Sequence, residues 1–421
     1  MKLGTLQRTR ASQRVLGFTA CLLLASACGG DEAEAPSSHD HGTHSHGDAS
    51  THSHDTPDAG TIDASDAPPD GSVIGAFRWE LPANFPRPSV PAGNPMSIEK
   101  VALGRHLFYD KRLSGNQTQS CASCHKQELA FADERAVGLG ATGASHTRGS
   151  MSLANVAYSP TLTWANPVMF ELERQAQVPL FGDNPIELGL RSQDEVVQRL
   201  QAVPRYRELF AAAFPGEPEP ITMTNVLRAI ATFERTLLSG SSPYDRYLSG
   251  DASALSESAK RGMVFVTSNE DHRFECNHCH GGFNFSDHVT YENGPVFGSN
   301  PPYHQTGLYD LDGRGTYPAP NTGAHEVSQR PDDMGKFKAP TLRNIALTPP
   351  YMHDGSIKTL GEVIDHYSKG GRARNVARTD QFVKPFEISA QEKADIIAFL
   401  ESLTDQKFIT DPKLSDPWLQ P

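Results

Sequence analysis

The stretches Cys121-Ala-Ser-Cys124-His125 and Cys276-Asn-His-Cys279-His280 decide how this chain is read. Both spell Cys-x-x-Cys-His, a spacing in which two thiols add across the vinyl groups of a haem and the adjacent imidazole reaches the iron. Two such matches in a chain with six cysteines point to two covalently attached c-type haems. A zinc ribbon fits poorly, because its two pairs stand about 15–20 residues apart and Cys124 lies far from Cys276. A thioredoxin-like dithiol belongs to a reducing compartment, which conflicts with the leader. Cys21 and Cys28 lie in that leader, so no cysteine is left for a disulfide.

Working outward to the N-terminus, Lys2, Arg8, Arg10 and Arg14 precede an apolar segment, Val15 to Ala27, too short to span a bilayer. Residues 1–28 read as a lipoprotein-type signal peptide ending Leu24-Ala-Ser-Ala-Cys28, with Cys28 lipidated. Ala25 stands where Leu is usual, and plain cleavage after Ala27 is the alternative. A lipid at Cys28 would anchor the protein to a bacterial membrane, in the periplasm, with the outer membrane favoured. Residues 29–77 are rich in Asp, Ala, Ser, Thr and Pro, cannot bury enough apolar surface to fold, and are expected to be a disordered tether. Their His39, His41, His44, His46, His52 and His54 are expected to bind Cu or Zn weakly, the alternative being incidental histidines on a soluble linker. Asp31 to Asp70 holds ten acidic residues and no Lys or Arg, so most of the net charge of −12 sits there. No basic face suggests nucleic acid.

Residues 78–252 and 253–421 are expected to form an N-terminal and a C-terminal haem domain. Ile98, Val101, Ala102, Arg105, Leu107 and Phe108 suggest a helix entering the first motif. Ser192-Gln-Asp-Glu195 reads as a capping box, an amphipathic helix is expected from Thr222 to Leu238, and Ser389-Ala-Gln-Glu392 caps a last helix. Ser239-Gly-Ser-Ser-Pro243 and Gly250 read as loop before the pattern restarts at Ser256. No run of alternating strands stands out, so the class is mainly α. Gly138-Leu-Gly-Ala-Thr-Gly143 matches Gly-x-Gly-x-x-Gly but follows no strand and opens no helix; it reads as a loop near the first haem.

Four further stretches carry a resemblance: Ser152-Leu-Ala-Asn-Val-Ala-Tyr-Ser-Pro-Thr-Leu-Thr-Trp164, Gln175-Ala-Gln-Val-Pro179, Asn184-Pro-Ile-Glu-Leu-Gly189 and Lys338-Ala-Pro-Thr-Leu-Arg-Asn-Ile-Ala-Leu-Thr-Pro-Pro-Tyr-Met-His-Asp-Gly355. Over roughly residues 94 to 405 the chain resembles the bacterial di-haem cytochrome c peroxidase and MauG superfamily. It is most similar to the MbnH branch, methanobactin-associated members that oxidise tryptophan on a partner protein to kynurenine. The resemblance implies two cytochrome-c-like helical domains, each with one covalently bound haem, packed around an interhaem interface. It makes Glu187 the distal acid that shuttles a proton between the two oxygens of hydrogen peroxide. Gln175 and Pro179 shape that pocket, and Trp164 lies between the haems as an electron relay. It implies a calcium ion between the haems on backbone oxygens of Thr348 and Pro350, although Gly149 stands where an Asn is usual. The first haem is expected to be open at rest, since the slot for a distal His falls near Ala141, with His146 close by. The resemblance further implies a protein substrate or redox partner, and within the MbnH branch a copper-binding MbnP-like protein.

The sixth ligand of the second haem separates the branches. Leu360, Val363, Ile364 and Tyr367 fall at helical spacing, which by itself reads Tyr367 as a core residue. The family register makes Tyr367 the ligand, where conventional peroxidases have Met; His366 and Met352 are rivals. A phenolate is a hard anionic donor that stabilises oxidised iron, so peroxide would take one electron from each haem. The leading expectation is a MauG/MbnH-like peroxidase that oxidises a side chain, Trp, on a partner protein. The alternatives are a conventional cytochrome c peroxidase fed by a small cytochrome or cupredoxin, a di-haem electron-transfer cytochrome, and a copper-handling lipoprotein.

Overall fold

Helices begin where the sequence supplies caps. The computed structural model describes residues 77–419 apart from 269–272, 299 and 374–377. The expected leader and the histidines of the tether lie outside the described residues. In chain order the helices are α1 (Ile98–Phe108), α2 (Leu172–Gln175), α3 (Gln177–Phe181), α4 (Gln193–Gln201), α5 (Pro204–Ala213) and α6 (Met223–Glu234). There follow α7 (Pro243–Leu248), α8 (Glu257–Thr267), α9 (His325–Ser328), α10 (Leu360–Ser368), α11 (Ala390–Glu401) and α12 (Gln406–Thr410). β pairing among the described residues is confined to isolated bridges, and no described helix is long and apolar enough to cross a membrane. The architecture is mainly helical, as expected.

Ser389 and Glu392 cap α11 reciprocally, and Thr359 and Glu362 do the same for α10. At α4 only half the expected box forms: Ser192 accepts from the Glu195 N–H, but the Glu195 carboxylate turns to Arg199. α6 starts at its expected cap, Thr222, yet stops at Glu234 rather than Leu238. Beyond it the chain tightens, with Leu237 N–H bonded to Glu234 O at 3.1 Å.

The fold repeats itself. α1 crosses α6, and α8 crosses α11, as the dominant helix pair of each half. At each crossing a glycine lets the backbones touch: a Cβ on Gly104 would stand 1.9 Å from Ala229 O, and one on Gly262 1.9 Å from Asp395 O. Asn155 and Asn344, both left-handed at φ 61° and 62°, each open a short 3₁₀ turn. The N–H of Asn155 donates to Leu237 O at 2.7 Å and that of Asn344 to Leu403 O at 3.0 Å, just past the ends of α6 and α11.

A polar knot joins the halves. Asn155 Nδ2 donates to Asn284 Oδ1 at 2.9 Å, and Asn344 Nδ2 to Ser239 Oγ at 2.9 Å. Asp405 Oδ2 accepts from Gly240 N–H and Ser241 N–H at 2.9 and 2.8 Å. The Ser239-to-Ser242 stretch that reads as loop is thus its hub, with Ser239 and Ser242 fully buried. Its compact side chains and backbone donors fill sites that apolar residues would leave with unpaired polar groups.

Candidate functional site

Both Cys-x-x-Cys-His motifs open onto one cavity of ≈ 530 Å³. Cys121–Ser123 and Cys276–His278 are 3₁₀ turns, which bring His125 N–H to Cys121 O at 3.0 Å and His280 N–H to Cys276 O at 2.8 Å. Each turn therefore presents two thiols and an imidazole to the same space. His125 Nδ1 lies 2.8 Å from Phe131 O and His280 Nδ1 3.1 Å from Phe285 O. A carbonyl only accepts, so Nδ1 carries the proton in both rings and the Nε2 lone pair is left for a metal. Phe131 and Phe285 reach these positions at φ 58° and 49°. Burial lowers both histidine pKa values, keeping the rings neutral as ligands require. Burial also raises the thiols of Cys121, Cys124 and Cys276, the last to about 11. The donor set, its duplication and the apolar walls fit two c-type haems.

The first half of the cavity holds the expected distal group. Gln175 on α2, Pro179 on α3 and Glu187 all line it. Glu187 O accepts from Ala141 N–H at 2.7 Å, and Leu188 N–H donates to Pro179 O at 2.8 Å, so the acid is pinned from both sides. The glycine-rich stretch 138–143 is the support: a Cβ on Gly140 would meet Ile186 O at 1.9 Å. Burial pushes the Glu187 carboxyl up to about 7. His146 Nδ1 stands 3.9 Å from Glu187 Oε1, and burial lowers the His146 pKa.

In the second half, Tyr367 reaches the cavity from α10 together with Leu360, Val363 and Ile364. Burial, then the nearby Cys279 and Cys276, raise its phenol well above the ordinary value. Of its rivals, Met352 lines the cavity, at φ 70°. His366 does not: its Nε2 donates to Thr306 O at 2.9 Å and it lines a separate groove beside Lys358 and Arg372. The helical spacing explains this, since neighbours 366 and 367 point about 100° apart on α10.

Between the motifs, Trp164 lines the cavity with its Nε1–H donating to Gly149 O at 2.8 Å. Thr348 and Pro350 line it too, so the residues expected for haem attachment, the distal pocket, Tyr367 and the calcium ion all line this cavity.

Buried charges that the sequence reading missed share the space. Glu234, on α6, is pushed up to about 8 by burial, and its Oε2 has no hydrogen-bond partner. Its signal was a carboxylate four residues after Ile230 on an apolar stripe. Lys338 is lowered to about 8 by burial, its Nζ 3.5 Å from Thr161 O. His304 sits between Asp287 and Asp380 at 2.7 and 2.6 Å; burial opposes its charge, but the two carboxylates push it up to about 12. Lys338 and His304 have no local sequence signature beyond residue type.

A family profile described as di-haem cytochrome c peroxidase matches residues 98–253. The methylamine utilization protein MauG of Methylorubrum extorquens is 39% identical over 340 residues, covering 79% of this chain and 87% of its own. Cytochrome-c peroxidase IdrP1 of Pseudomonas sp. (strain SCT) is 37% identical over 346 residues, covering 79% of this chain and 87% of its own. A crystal structure of a MauG-like protein associated with microbial copper homeostasis matches with a TM-score of 0.77 at 49% identity, covering 82% of this chain and 100% of that one.

Proposed function

Because this chain belongs to the di-haem cytochrome c peroxidase and MauG family, whose members carry two c-type haems and act with hydrogen peroxide, we propose that it is a MauG/MbnH-like enzyme oxidising a tryptophan side chain on a partner protein. The observation that carries this reading is Tyr367, a cavity-lining phenol on the side of the second motif. When bound, the haems supply the iron that reacts with peroxide and holds its two oxidising equivalents. Cys121, Cys124, Cys276 and Cys279 would attach them, His125 and His280 would each ligate one iron, and Tyr367 would be a further ligand of the second. Glu187 takes a proton from one peroxide oxygen and returns it to the other. Gln175 and Pro179 shape the space around it, and Trp164 links the two halves of the cavity.

The copper association of the MauG-like relative supports a copper-binding, MbnP-like partner. The leader supports a periplasmic location with a lipid on Cys28. Thr348 and Pro350 carbonyls are the proposed calcium ligands.

Met352 favours a second reading, a conventional cytochrome c peroxidase with a thioether ligand, because it shares the cavity. Electron paramagnetic resonance of the diferric protein separates the two. One equivalent of hydrogen peroxide without reductant should remove both ferric signals together, and Y367M should abolish that paired loss. Reaction only after one haem has been reduced would establish the conventional enzyme.

A further inference from the structure

An oxidising equivalent held in the cavity reaches a partner only by a path to the surface, and the residues beyond Trp164 form one. The Trp164 Nε1–H donates to Gly149 O at 2.8 Å, and Gly149 N–H donates to His353 O at 3.0 Å. The next residue, Asp354, accepts a hydrogen bond from the Tyr309 hydroxyl at Oδ2 and from Ser356 N–H at Oδ1, 3.0 Å away. Rings run alongside this route. His353 stacks on Phe337 with centroids 3.9 Å apart, and both line the cavity. Tyr317 lies 6.2 Å from His353 and 5.5 Å from Tyr309.

A tyrosine yields an electron readily only when its phenolic proton can leave at the same time. Tyr317 is buried, its oxygen accepts from Leu308 N–H at 2.9 Å, and among the described residues no carboxylate is bonded to it. Tyr309 is half-buried and has the Asp354 carboxylate in place to take its proton. The Ser356 bond fixes that carboxylate, so the acceptor is preorganised.

We propose that Tyr309 and Asp354 form the redox relay through which oxidising equivalents leave the cavity, a role that rests on the peroxide-driven oxidation of a partner proposed above. In the outward step one electron passes from Tyr309 to the haem pair oxidised by hydrogen peroxide. The Tyr309 O–H bond breaks and its proton moves to Asp354 Oδ2. In the return step the partner's side chain gives one electron to the tyrosyl radical, and the proton comes back from Asp354. Two such passages consume the two equivalents of one peroxide.

The test uses the haem-loaded protein, one equivalent of hydrogen peroxide, a nitrone spin trap and no partner. Ferric signals are followed by electron paramagnetic resonance, and the trapped residue is located by peptide mass spectrometry. The expected result is loss of both ferric signals with the trap on Tyr309. D354N should lower that adduct at least several-fold, and Y309F should lengthen the life of the oxidised state. Loss of the ferric signals with the trap elsewhere, and with that lifetime unchanged in Y309F, overturns the relay and leaves the enzyme reading standing. Persistence of both ferric signals sinks both, since no equivalent then forms to be relayed.

Discussion

Glu187 shows how little of a residue's chemistry lies in its identity. The proposed proton-carrying role suits it because burial moves the carboxyl up to about 7, and no pairing cation cancels the shift. Near neutral pH it sits close to its midpoint, where a group both accepts and returns a proton efficiently. In the proposed role the ionised form takes the first proton from peroxide. The rate of the peroxide reaction should therefore rise as pH climbs through about 7 and level off above it. E187Q should slow the reaction by about 10²–10⁴-fold and flatten the profile. Stopped-flow absorbance across pH 5 to about 9 reads both effects; a profile unchanged in E187Q would assign the titration to another group. The motif wording around 184–189 made Glu187 a candidate from sequence, because a distal acid needs a local backbone frame. Its pKa was not legible, because that depends on the 138–143 loop folding over it.

At the scale of elements, caps and periodicity gave the starts of α1, α4, α6, α8 and α11, since both act within a few residues. The internal repeat escaped. Asn155 and Asn344 sit in matching stretches, Leu153-Ala-Asn-Val-Ala and Leu342-Arg-Asn-Ile-Ala, which carried the signal, but Gly104 precedes Cys121 and Gly262 precedes Cys276 by different intervals, so no fixed period marks the glycines. Their equivalence appears only when helices cross. That crossing is rigid, because the atom opposite Gly262 is a backbone carbonyl that cannot swing aside. G262A should accordingly force α8 and α11 apart and cost about 3 kcal/mol, the upper end of usual overpacking. Gly93 meets nothing within 4 Å, so G93A is the matched control and should be close to neutral. Denaturant midpoints of the two variants decide the matter: similar values would mean that the crossing relaxes freely.

For the whole molecule, the question is whether two haem-bearing halves behave as one. Their apolar clusters are separate, one built on α1, α4, α5 and α6 and another on α8, α10 and α11. What they share is the cavity and the buried knot of Asn155, Ser239, Asn344 and Asp405. Small polar side chains are commonplace in loops, so nothing in their spacing announced a buried junction; only burial gives them that meaning. Buried polar networks stand or fall together, because a partly broken one leaves desolvated groups without partners. A haem attached in the second half would stabilise the folded state by filling a cavity whose wall both halves contribute. Removing its attachment should then weaken the first half as well. In C276A/C279A, unfolding followed by the absorbance of the haem at His125 should move to lower denaturant, as one transition with the loss of helix signal. A midpoint at His125 that stays where it is in the parent protein would mean that the knot transmits nothing, and that each half folds on its own account.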